Sequence, residues 1–197
     1  IIDGASASCQ ARPMNRRQFV RSAAALAAAM PAASFAAETG ARRFTLALTP
    51  GSIGVTAKSQ KELNELAAKH GFESVEPRGE EFAGMTDNEV EFILGDRDSK
   101  NLAWAAAGLP VEFRKDDATF REGLAKLPRI AAALQDAGAK RMGTWLMPSH
   151  DELTYNRNFK QHADRLREVT KILADHDIRL GLEYVGTQLL LVKGRYP

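Results

Sequence analysis

Only one cysteine, Cys9, occurs in the 197 residues, and it lies in an N-terminal segment that reads as removable. The rest of the chain therefore has no thiol, which excludes disulfides and thiolate metal sites and leaves oxygen and imidazole as the only metal ligands. Long apolar runs are missing as well. The most apolar stretch, Ser22 to Phe35, is alanine-rich, too short and too weakly hydrophobic to span a bilayer. Charge of one sign is not in excess: 27 basic against 25 acidic residues give a formal +2, and several of the basic ones belong to the N-terminal segment. With no concentrated basic face, a nucleic-acid partner is not expected. No Asn-Gly or similar signal joins two apolar runs, so tight hairpins are not expected either.

Residues 1–13 open with Ile1 rather than Met, lack periodicity, and read as an upstream extension. Residues 14–36 begin with Met14 and carry Arg16-Arg17, Phe19 and Arg21, then the Ala-rich stretch, then small residues at Ser34 and Ala36. This order of charged head, apolar middle and small-residue cleavage site is that of an export leader. It resembles a twin-arginine (Tat) signal peptide, with Arg16, Arg17 and Phe19 as its motif. The resemblance implies delivery to the Tat export machinery and a mature protein, residues 37–197, that is periplasmic or extracellular.

The mature part alternates two periodicities. Phe44 to Thr49 reads as a strand ended by Pro50-Gly51. Ser59-Gln60-Lys61-Glu62 has capping-box spacing, and Leu63, Leu66 and Ala67 form a helical stripe closed by Gly71. Phe72 to Glu76 is a second strand, stopped by Pro77. A short helix is expected at about Thr86 to Leu94, then a third strand over Leu102 to Ala107. Asp116 or Asp117 caps a helix with Phe120, Leu124, Leu127, Ala131 and Leu134 at helical spacing, in which Pro128 should produce a kink or a break. Arg141 to Met147 is a fourth strand, followed by a polar loop and a long helix with Phe159, Ala163, Leu166, Val169 and Leu173 on one face.

The fifth strand, Arg179-Leu180-Gly181-Leu182-Glu183-Tyr184-Val185, sets one carboxylate near its C-terminal end. Alternation places Leu180, Leu182 and Tyr184 on one face and Gly181, Glu183 and Val185 on the other. Five strands and four helices with crossover-length connections predict a parallel α/β arrangement. A doubly wound sheet usually carries a G-x-G-x-x-G turn after its first strand, and Pro50-Gly51-Ser52-Ile53-Gly54 lacks that spacing. The expected fold is therefore a (β/α)8 TIM barrel, of which these units make roughly five-eighths of the usual 250 or so residues. In such a barrel Glu183 points into the mouth, where the chemistry is done. A structural glutamate paired with a neighbouring cation is the alternative.

Three stretches carry a family resemblance: Gly108-Leu109-Pro110-Val111-Glu112-Phe113-Arg114, Ala139-Lys140-Arg141-Met142, and Leu180-Gly181-Leu182-Glu183-Tyr184-Val185-Gly186. From Phe44 onward the chain resembles the sugar phosphate isomerase/epimerase family, xylose-isomerase-like barrels that include keto-sugar epimerases, inosose dehydratases and endonuclease IV. In that family a glutamate ending the fifth strand binds a divalent metal (Mn, Mg, Co or Zn) and, in epimerases, serves as an acid/base; Glu183 matches that position. The resemblance implies an Asp, a His and a second Glu from three later strands, all expected beyond Pro197, so that the chain is read as C-terminally truncated. It also implies a small sugar substrate and metal-assisted proton transfer next to a carbonyl. A lyase or dehydratase on keto-sugars or keto-glycosides, a non-catalytic sugar-binding barrel, and an inactive fragment are the alternatives.

Other polar residues have two readings each. Glu76, at the end of the second strand, either lines a substrate pocket or forms a structural ion pair. Trp145 either stacks on a sugar face or fills the core. His150, with Glu152 in the loop after the fourth strand, either meets substrate hydroxyls or is solvated. His70, His162 and His176 read as surface or helix-end residues. The early strands end in no histidine, which argues against the trinuclear zinc site of the nuclease relatives.

Overall fold

The computed structural model describes residues 43–185, all but the first of which fall in the compact unit Phe44–Pro197. Arg16, Arg17 and Phe19, the residues expected to form a leader motif, lie outside the described residues. So do residues 1–13, the alanine-rich stretch and Gly186.

The strands are β1 (Ala47–Leu48), β2 (Ser74–Val75), β3 (Ala103–Trp104), β4 (Ala107–Gly108), β5 (Arg141–Leu146) and β6 (Arg179–Tyr184). They pair in the orders β1-β2-β3 and β4-β5-β6, and every pairing is parallel. The third strand expected from the sequence is thus two short ones, separated by Ala105 and Ala106. Its first half pairs back to β2 and its second half pairs forward to β5. The Ala105 N–H still donates to the Val75 carbonyl at 2.9 Å, and the Leu109 N–H to Gly143 at 3.0 Å. One stretch of chain therefore joins both sheets, and the strands follow one another in chain order, as in the wall of a parallel barrel.

The helices are α1 (Gln60–Lys69), α2 (Gly79–Phe82), α3 (Asp87–Ser99), α4 (Asp117–Asp136) and α5 (Tyr155–Ala174). The Ser59 hydroxyl caps α1 by accepting from the Glu62 N–H at 3.2 Å. The reciprocal half of the expected box is displaced by one residue, because the Glu62 carboxylate takes the Lys58 N–H at 2.6 Å. Asp116, not Asp117, caps α4, accepting from the Thr119 N–H at 2.9 Å. α3 runs five residues past its expected end. α2 was not legible at all, since a four-residue helix offers no periodicity.

Pro128 neither ends nor splits α4, which is one continuous helix. The residue itself is exposed, so its ring does not intrude on the packed face of the helix. Phe120, Leu127, Ile130, Ala131 and Leu134 stay buried on both sides of it, and that packing holds the helix through the proline. α5 differs from its expected stripe. Leu166, Val169 and Leu173 are buried, but Asn158 and His162 occupy the inner face of the first turns, and Phe159 is 63 % exposed.

The main core gathers Phe82, Phe113, Phe120, Leu127, Leu134 and Met142 between the helices and β4–β6, and a smaller one holds Leu48, Leu63, Val75 and Leu102. Trp104 packs against both. Its indole N–H donates to the Ala137 carbonyl at 2.8 Å, which satisfies the one polar atom of an otherwise apolar side chain.

Candidate functional site

The C-terminal ends of the strands converge on a cleft of about 500 Å³ whose walls include Thr49, Ser52, Glu76, Thr144, Trp145 and Glu183. Glu183 lies on β6 directly across the ladder from Trp145 on β5. Two residues earlier the ladder pairs Gly143 with Gly181. Period-two alternation puts these glycines on the same face as Trp145 and Glu183, so the cleft floor carries no side chains there. Leu180 and Leu182 border a separate apolar groove with Ala163 and Leu166 of α5. The alternation read from the sequence is thus the one observed for Leu180 and Glu183, although Leu182 also reaches the cleft edge.

Glu76 follows β2 and is held by backbone and side chain together. Its N–H donates to the Leu48 carbonyl at 3.1 Å, and its own carbonyl accepts from Gln60 Nε2 at 3.2 Å. Burial pushes its carboxyl above the ordinary carboxylate range, while the Gly108 N–H and the Arg78 charge pull it back. Burial thus favours the protonated form of Glu76, and Glu183 is an exposed residue of the same cleft. Two carboxyl groups lining one cleft can both exchange protons with a bound molecule.

Two supporting residues had no signal in the sequence as site residues. Gln60 is fully buried. Besides Glu76 it contacts Asn64 Oδ1 at 3.1 Å and accepts from the Arg78 N–H at 2.8 Å, so it ties α1 to the loop carrying Glu76. A polar residue in the first turn of a helix looks like an ordinary exposed one until the tertiary contacts close over it. Arg114, present in the sequence only as part of the family-like stretch, lies 4.3 Å from the ring centroids of both Phe113 and Trp145. Its Nη2 donates to Thr144 Oγ1 at 2.7 Å and to the Trp145 carbonyl at 2.5 Å. It therefore fixes the aromatic wall of the cleft. Trp145 itself is 38 % exposed, in keeping with a wall rather than core filling.

His150 is not brought to this cleft. It lines a second one, with Arg114 and Asn158, and its Nδ1 accepts the N–H groups of Glu152 and Leu153, each at 3.0 Å. His162 corrects the surface reading given to it above. It is 7 % exposed and meets Phe113 edge to face at 5.1 Å. Burial, with Arg114, His150 and Arg165 next, lowers its pKa to about 4 against a weak opposing effect of Glu112.

Among the described residues no group of three or more His, Cys, Asp or Glu side chains comes together to hold a metal ion. The oxygen donors of Glu76 and Glu183 suit a hard dication, but on their own they are an incomplete ligand set.

No protein-family model matches the chain, and a search of curated proteins finds no match. Solved structures do match. A xylose isomerase domain protein from Alicyclobacillus acidocaldarius is 28 % identical over 73 % of this chain and 51 % of its own, with a TM-score of 0.59. The IOLI protein, solved with a bound zinc atom, is 18 % identical over 73 % and 52 %, with a TM-score of 0.58. The 3-keto-D-glucoside 4-epimerase YcjR from E. coli is 18 % identical over 64 % and 51 %, with a TM-score of 0.51. The chain spans about half the length of these proteins. Its parallel α/β architecture is that of the xylose-isomerase-like TIM barrels, with part of the barrel in the described residues.

Proposed function

We propose that the protein to which this chain belongs is a sugar isomerase or epimerase that moves a proton at the carbon next to a carbonyl. The observation that carries this is the meeting of Glu76, Trp145 and Glu183 in one cleft at the C-terminal ends of parallel strands, the end at which barrels of this kind work. Trp145 offers an apolar face to a sugar ring. Glu183, the exposed carboxylate, takes the proton, and Glu76, whose burial favours its protonated form, binds a hydroxyl or returns a proton. Glu183 would also give an oxygen to a divalent cation, Mn, Mg, Co or Zn, completed by ligands outside the described residues. Such a cation, when bound, supplies polarisation of the substrate carbonyl. The zinc in the IOLI protein and the epimerase activity named for YcjR support this reading. The N-terminal leader supports an exported enzyme acting on free sugars or keto-glycosides.

The test uses the whole reading frame that carries the chain. Keto-sugars incubated in D₂O should take up deuterium next to the carbonyl, and Glu183→Gln should slow that uptake by at least about 10²-fold. Uptake at an unchanged rate in the variant would remove Glu183 from the chemistry. Loss of water from the product would assign the same cleft to a dehydratase instead.

A further inference from the structure

Three glycines stand side by side across adjacent strands. Gly108 on β4 is in register with Gly143 on β5, and Gly143 with Gly181 on β6, so the row crosses two interstrand spacings, about 10 Å. All three line the cleft that holds Glu76, Trp145 and Glu183. The inward positions of a parallel barrel are ordinarily filled by bulky branched side chains. Here that layer of the wall is bare backbone.

A glycine inside a strand weakens it, by the backbone entropy lost on folding and by the packing it forgoes. Two local causes commonly require one, and neither applies to Gly143 or Gly181. The backbone is not left-handed at either residue, unlike that of Gly54, Gly71 and Gly138. Nor does a neighbour among the described residues crowd them. A Cβ on Gly143 would have only Ala106 Cβ within 4 Å, at 3.7 Å, and one on Gly181 only the Met142 carbonyl oxygen, at 3.8 Å; both are ordinary van der Waals distances. Gly108 differs, because Glu76 Oε1 takes the space beside it, 3.0 Å from where its Cβ would stand. The row thus begins at the Glu76 carboxyl and continues as open space over Gly143 and Gly181. The next inward positions along β5 and β6 are Trp145 and Glu183, paired with each other. A molecule lying on the two glycines has Glu76 at one end, with the indole and the second carboxyl along one side. Close approach of a ligand to the backbone is the remaining reason for a glycine inside a strand.

We propose that Gly143 and Gly181 are specificity-determining residues of this cleft: their bare backbone is the floor on which the sugar lies, and its depth admits a carbon chain extending from Glu76 across β5 to β6. The proposal rests on the sugar-binding reading of the cleft, but not on Glu183 as its acid/base. A methyl added at Gly181 raises the floor beneath the far end of that chain and spares a shorter molecule held beside Glu76.

Saturation-transfer difference titrations on the protein of the whole reading frame, with Mg²⁺ present, test it. D-fructose and D-tagatose are the six-carbon probes and dihydroxyacetone the three-carbon one. Gly143→Ala and Gly181→Ala should each weaken the binding of a six-carbon probe by ~10-fold or more, the scale on which a substrate pocket discriminates one methylene. Gly181→Ala should leave dihydroxyacetone near its parent affinity. Both variants should melt at or above the parent temperature, because alanine costs a strand less than glycine; a purely structural role would move the melting temperature and not the affinity. Unaltered binding in both variants would overturn the proposal. So would a lower melting temperature, which would assign the space to side chains of the barrel itself, or equal weakening of the short and long probes by Gly181→Ala. A parent protein that binds neither six-carbon probe would overturn the proposal together with the sugar-binding reading. Unaltered deuterium uptake in Glu183→Gln, with the alanine variants behaving as expected, would uphold the floor and remove only the catalytic assignment of Glu183.

Discussion

A Cβ built on Gly108 would stand 3.0 Å from Oε1 of Glu76, so the missing side chain on β4 is what lets the Glu76 carboxyl lie against that strand. Gly79 is tight for a different reason: a Cβ there would meet Ile130 Cγ2 at 2.8 Å and Leu134 Cδ1 at 3.0 Å, both in the packed face of α4. Gly79→Ala should therefore cost about 1–3 kcal/mol in denaturant unfolding, the usual penalty for overfilling a core. Gly108→Ala meets only the end of a flexible side chain; it should cost less than Gly79→Ala while displacing Glu76 and lowering activity or ligand affinity. Equal losses of stability in the two variants would contradict this division.

Glu76 should weaken the fold at neutral pH. Its folded-state pKa is raised, chiefly by burial. Between the ordinary value of 4.5 and the raised one, the folded protein holds a proton that the unfolded chain has released, so stability falls as pH rises through that window. Glu76→Gln keeps the shape and an acceptor for the Gly108 N–H. It should raise the melting temperature at pH 7 and lose that advantage below the ordinary carboxyl pKa. A Gln variant less stable than the parent at pH 7 would mean that the ionised form is the one the fold prefers.

His162 titrates in the opposite sense. Its pKa falls from 6.5 to about 4 on folding, so in that interval the unfolded chain binds the proton and the folded one does not. Stability should be full above about pH 6.5 and decline as pH falls towards 4. The total, at about 1.4 kcal/mol per unit, is on the order of 3 kcal/mol. His162→Leu should flatten this segment of the stability curve, and an unaltered slope in urea titrations at several pH values would place the titration elsewhere.

The 197-residue chain by itself should self-associate. Leu182 and Tyr184 on β6 are 52 % and 73 % exposed, and Phe159 beside them on α5 is 63 % exposed. Among the described residues β6 pairs only with β5, which leaves an unpaired strand edge next to an apolar groove. Sedimentation velocity should show species larger than a monomer. A monomer that melts in one sharp, cooperative step would refute this.

Much of this was readable from residue order alone. Period-two runs at β5 and β6, the period-3.6 stripe of α4 and the crossover-length connections are local patterns, and local patterns suffice for parallel α/β architecture and for which face of β6 carries Glu183. Register and closure were not readable in that way. They decided that the third strand divides, that Glu76 and Glu183 share a cleft while His150 joins another, and that Gln60, Asn158 and His162 are buried. A polar side chain shows the same sequence context whether water or protein covers it. Only the packing of α1 over the loop after β2, and of α5 against the loops after β4 and β5, takes the water away. That loss of solvent gives Glu76 its raised pKa and His162 its lowered one.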